Sequence, residues 1–141
     1  MELKKYFDEK KGIGVLATAD KDGKVDAAVY ARPHVFEDGS VAFITNDRLT
    51  RRNLQSNPHA AFLFIEQGGE SEGKRLFLTK FQEEAGGKLL EELVKNTRCT
   101  AEDYGEGPKF LVYFKVEKVL PLIGSGEKKK TSACGAGCCP R

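Results

Sequence analysis

Along the first 120 residues the spacing of apolar positions switches between a period of two and a helical period, and those switches divide the chain into strands and helices. Leu3, Tyr6 and Phe7 recur at helical spacing among Lys and Glu, which predicts an amphipathic helix over residues 2–11, ended by Gly12. Residues 13–19 and 25–32 read as strands, with an Asp-Gly hairpin turn at Asp22 and Gly23 between them. A second Asp-Gly turn, at Asp38 and Gly39, leads into a strand over 41–44, although Pro33 limits pairing where it stands. Three consecutive strands joined by short turns predict an antiparallel meander. Another apolar run covers 60–65. Residues 74–82 carry apolar side chains on both faces, as in a strand buried on two sides or at a contact between two copies. Residues 83–97 place Leu89, Leu90, Leu93 and Val94 on one stripe, predicting a further helix, and residues 110–117 alternate as the last long strand. The expected fold is mainly β with flanking helices: six strands in a small, mostly antiparallel barrel.

The stretch from 41 to 64 organises the rest, because it runs strand, polar connector, short helix, strand. Thr45, Asn46 and Asp47 offer side chains that can cap a helix, and Arg48, Arg51 and Arg52 fall in or beside its first turn. Unpaired N–H groups at a helix start carry the positive end of the helix dipole. With the Thr50 hydroxyl and guanidinium groups added, they would form an anion site. A solvated basic helix face fits the same residues.

The formal charge of +2 conceals a division. Residues 127–141 carry Lys128, Lys129, Lys130 and Arg141 against Glu127, a balance of +3, so the remaining body sums to −1. A near-neutral body argues against a nucleic-acid partner, which needs clustered Lys and Arg on a folded face. No apolar run approaches the ~20 residues that cross a bilayer, and the amino end lacks the apolar stretch of a signal peptide, so a cytoplasmic protein without a membrane partner is expected. Residues 1–120 are expected to form one domain, and 121–141 a flexible tail holding Cys134, Cys138 and Cys139. Those thiols fit a soft-metal site, a thiol relay or an end with incidental cysteines, and Cys99 stands apart from them. His34 and His59 lack the nucleophile motif that would make them catalytic.

Three segments carry a resemblance: GIGVLATAD at 12–20 with Asp22 and Gly23, FITN at 43–46, and LTRRNLQSNP at 49–58. Over roughly residues 10–120 the chain resembles the FMN-binding split barrels of the pyridoxamine 5′-phosphate oxidase type, in particular their short single-domain members. The resemblance implies a homodimer with FMN at the subunit interface and a small-molecule substrate or electron donor. It also implies, position by position, Thr50 as the phosphate-binding hydroxyl with Arg51 or Arg52 beside it, and Arg32 approaching the same phosphate. Tyr30 and Ala31 would line the flavin, Ile44, Thr45 and Asn46 would run along its pyrimidine edge, and Arg75 would make a cross-subunit contact. Leu49 stands where relatives often carry Lys or Arg, so compensating charge would come from Arg48, Arg51 or Arg32. The carboxy-terminal Arg and His segment with which the true oxidases hold pyridoxal phosphate has no counterpart, which argues against vitamin-B6 oxidation. The implied function is an FMN-dependent oxidoreductase; the alternative is a non-catalytic binder or carrier of FMN, haem or deazaflavin.

Overall fold

The computed structural model describes residues 2–68, 71–96 and 109–124. In chain order it contains α1 (Glu2–Glu9), β1 (Gly12–Ala19), β2 (Val25–Tyr30), β3 (His34–Val35), β4 (Val41–Asn46), α2 (Leu49–Ser56), β5 (His59–Glu66), β6 (Gly73–Ala85), α3 (Lys88–Asn96) and β7 (Lys109–Pro121). All strands belong to one antiparallel sheet in the order β2-β1-β5-β6-β7-β4-β3.

The strands at the two ends of that order, β2 and β3, are joined by residues 31–33 alone. Three residues bridge at most about 15 Å, so the sheet must curl until its edges nearly meet. The result is a half-barrel with a seam between β2 and β3. Its interior holds Leu16, Phe43, Phe62, Phe64, Leu76, Leu78, Phe110, Val112 and Phe114. The rings interlock in tilted and edge-on pairs, with Phe43 and Phe62 at 4.9 Å between centroids. Phe7 of α1 and Leu54 of α2 complete this core. Tyr6 of α1 donates to Glu66, which lies opposite Gly12 at the start of β1, whereas Asn53 of α2 donates to Thr18 near the end of β1. The two helices therefore sit toward opposite ends of the barrel. A smaller cluster of Ala42, Leu90 and Leu111, with Ile44, Leu93 and Tyr113 against it, seats α3 on the outside of β4 and β7.

The expected meander stops after its first hairpin. β1 and β2 pair as predicted, but the strand beginning at Val41 joins β7 at the far side of the sheet. Pro33 explains the break: it has no N–H to donate and ends β2 at Tyr30 rather than at residue 32, so the chain crosses the seam instead of pairing back. It then adds the two-residue β3, giving seven strands where six were expected. β6 continues to Ala85 because Glu83 and Glu84 pair with Val112 and Leu111. Gly86 and Gly87, both at positive φ, make the turn that delays α3 to Lys88.

One outer face is left bare by the described residues. The registers align Val29, Val15, Leu63 and Arg75 in one row across β2, β1, β5 and β6, and Ala27, Ala17, Ala61 and Phe77 in the next. Val25 and Val29 are 82% and 75% exposed there, and Ile13 60%. Among the described residues no helix is long and apolar enough to cross a membrane.

Candidate functional site

β4 leads into α2 through Asp47 and Arg48. Arg48 is the N-cap, in extended conformation with no side-chain hydrogen bond to the helix, and the first turn contains no acidic residue. None of the expected caps is used: Asp47 instead accepts from the Arg51 side chain at 3.1 Å. The amino end of α2 thus has no side-chain cap on its N–H groups, and the one carboxylate next to it, Asp47, is engaged by Arg51.

Around this end lies a polar patch in an otherwise apolar barrel. Thr50, Asn53, Thr18 and Thr45 are all buried. Asn53 Nδ2 donates to Thr18 Oγ1 at 3.0 Å. Tyr30 packs edge-on against Phe43 at 6.1 Å. Burial pushes its phenol above the ordinary tyrosine value, while the neighbouring Thr50 hydroxyl and the Arg48 charge pull the other way. Tyr30 thus lies within electrostatic reach of the Thr50 hydroxyl and the Arg48 charge. At the end of β4, the strand that leads into α2, two buried atoms have no partner among the described residues: Thr45 Oγ1 and Asn46 Oδ1. Leaving such groups unpaired is costly, and their position marks where a ligand could satisfy them.

The other expected site residues are placed as follows. Arg51 is occupied by Asp47 and Glu83 and lies over the Phe110 ring. Arg52 is exposed on the face of α2 opposite the buried Thr50, Asn53 and Leu54. Arg32 donates to Phe7 O at 2.8 Å and Lys10 O at 2.5 Å, tying the end of α1 to the seam. Arg75 donates to Pro121 O at 2.9 Å and to Gly124 O, fastening the end of β7. Ile44 packs outside the barrel with the α3 cluster, Leu49 is half exposed at the helix start, and Ala31 lies in the seam linker. Arg48, absent from the expected phosphate contacts except as a source of charge, makes no ion pair among the described residues. Its signal in the sequence was its place at the N-cap.

His34 stands edge-on to Phe36 at 4.6 Å; burial and then Lys4 lower its pKa against an opposing pull from Asp8. His59 is exposed at the start of β5. No group of three His, Cys, Asp or Glu side chains among the described residues could hold a metal, and Cys134, Cys138 and Cys139 lie outside them.

A curled antiparallel sheet open along one seam, with short helices at its ends, defines a split β-barrel. The family model for pyridoxamine 5′-phosphate oxidase matches residues 2–122, and the chain belongs to that family. Its fold is shared by an FMN-binding protein from Syntrophomonas wolfei subsp. wolfei at 18% identity, with a TM-score of 0.69 over 85% of this chain and 83% of that one. HupZ from Group A Streptococcus matches at 20% identity and TM-score 0.66, over 91% of this chain and 97% of its own. An F420 reductase matches at 16% identity and TM-score 0.63, over 82% and 94%. A comparison with curated proteins returns no match.

Proposed function

We propose that the chain is a homodimeric flavoprotein that binds FMN, with the phosphate at the amino end of α2 and the isoalloxazine along the end of β4. The observation that carries this reading is the unpartnered buried Thr45 Oγ1, on the barrel-facing side of β4, leading within a few residues into an uncapped helix start. A ligand with a polar ring edge at one end and an anion at the other answers both. Arg48 and the first-turn N–H groups of α2 hold the phosphate, Thr50 shares its hydroxyl between phosphate and Tyr30, and Tyr30 closes the inner side against water. FMN, when bound, supplies two-electron chemistry to an oxidoreductase acting on a small molecule; the protein contributes position and electrostatics. The FMN-binding relative supports the choice of ligand.

The bare outer face supports the dimer. Val29, Val15 and Leu63 in one row and Ala27, Ala17, Ala61 and Phe77 in the next make an outward-facing apolar patch of the kind that favours contact with a second copy. The cytoplasm suits a chain whose three carboxy-terminal cysteines would stay reduced there.

The test is the visible spectrum of the purified protein, followed by mass spectrometry of the ligand released on denaturation. Bands at roughly 370 and 450 nm, as for flavins, and the mass of FMN are expected. Colourless protein that refuses added FMN, or a released haem or deazaflavin, would overturn the assignment.

A further inference from the structure

Arg51 is the most heavily engaged side chain of α2. Its Nε and Nη2 donate to Glu83 Oε2 at 3.0 and 2.7 Å, and Nη1 donates to Asp47 Oδ1 at 3.1 Å. The guanidinium carbon lies 3.8 Å above the centre of the Phe110 ring. Glu83 also accepts from Lys80 Nζ at 3.1 Å and from Gln55 Nε2 at 3.0 Å. Two cations and two carboxylates cancel, so this cluster brings no net charge to the amino end of the helix.

Its contribution is geometric. Arg51 and Gln55, one turn apart on one flank of α2, both reach Glu83 on β6, and Phe110 on β7 supports the guanidinium from its face. On the adjoining flank Thr50, Asn53 and Leu54 enter the barrel. Two separate sets of contacts thus fix the rotation of α2 about its own axis. That rotation decides where its first-turn N–H groups, the Thr50 hydroxyl and Arg48 are directed.

We infer that Arg51, gripped by Glu83 and stacked on Phe110, is a positioning residue that aims the amino end of α2 and is not itself a phosphate ligand. The inference rests on the FMN reading above, and it gives an outcome opposite in sign to the one expected if Arg51 met the phosphate directly. Neutralising Glu83 would then release Arg51 and remove a nearby negative charge, and an anion would bind more tightly. Under a positioning role the same change lets the helix rotate, and the anion binds more weakly.

The experiment titrates the full chain with FMN and with riboflavin, which lacks the phosphate, in wild type, Glu83→Gln, Arg51→Lys, Arg51→Met and the Glu83→Gln/Arg51→Met double variant. Glu83→Gln and Arg51→Met are each expected to weaken FMN about tenfold, as loss of an outer partner does at a ligand site, and to leave riboflavin affinity unchanged. The double variant is expected to be no worse than either single one, since both break one link. Lys keeps the charge but cannot reproduce the fork or the stacking, so Arg51→Lys is expected to behave like Arg51→Met. Tighter or unchanged FMN binding in Glu83→Gln, wild-type affinity in Arg51→Lys, or a parallel loss of riboflavin binding each overturns the inference. Should Arg51→Met fail to fold, Glu83→Gln and Arg51→Lys decide the matter. Wild type that does not distinguish FMN from riboflavin overturns the FMN reading and this inference together; wild-type preference with tightened Glu83→Gln overturns this inference alone.

Discussion

Thr18, Asn53, Thr50 and Thr45 are buried in a barrel whose core is otherwise apolar, and each must satisfy its polar atoms there or leave them to a ligand. Asn53 and Thr18 satisfy one another, so Asn53→Ala is expected to cost about 1–3 kcal/mol in urea unfolding by stranding the threonine hydroxyl. Gly14 is constrained for a steric reason: a methyl group there would lie 2.4 Å from the Phe62 ring and 2.9 Å from Tyr30 O. Gly14→Ala is accordingly expected to lower stability by about 1–3 kcal/mol, measured as a shift in thermal midpoint. Arg48→Ala removes a cation unpaired among the described residues at the proposed phosphate site and is expected to weaken FMN by about 2 kcal/mol, read by fluorescence titration. Thr50 could be singled out in the sequence because the hydroxyl and the helix start are neighbours along the chain. The division of labour among the arginines could not. Besides the local Asp47, what occupies Arg51 is a carboxylate 32 residues away and a ring on the last strand, and what occupies Arg32 is a pair of carbonyls near the amino end.

At the level of elements, α2 is the piece on which the site depends, and its attachment to β6 is sensitive to acid. Burial pushes the Glu83 carboxyl up, but hydrogen bonds from Arg51 and Lys80 outweigh it and hold the group below the usual carboxylate range. A carboxyl depressed in the folded state stabilises the protein above its unfolded pKa of about 4.3, and that stability disappears as pH falls through the folded value. Wild type is therefore expected to exceed Glu83→Gln in stability at pH 7, with the gap closing under acid, measured as urea midpoints at neutral and low pH. Helix periods and the first Asp-Gly turn were legible because they are local. The length of β6 was not: Glu83 and Glu84 look like the start of a helix until their pairing with β7 is known.

For the whole molecule, the sheet order follows from a feature that no local pattern carries. Once Pro33 ends β2, the chain crosses to the opposite edge, and the curl that closes the barrel is the consequence of so short a link. Phe77, on the outward face of β6, aligns with Ala61, Ala17 and Ala27 on the three neighbouring strands, the face proposed above for the dimer. Val29→Glu, on the most exposed of them, is expected to convert a dimer to a monomer by native mass spectrometry, and a wild-type monomer would contradict the assembly. The measurement that bears most directly on the central claim is the ratio of wild-type affinities for FMN and riboflavin in one titration series. FMN is expected to bind at least about a hundredfold more tightly, the scale of two charge-assisted contacts; equal affinities would mean that the amino end of α2 does not hold a phosphate.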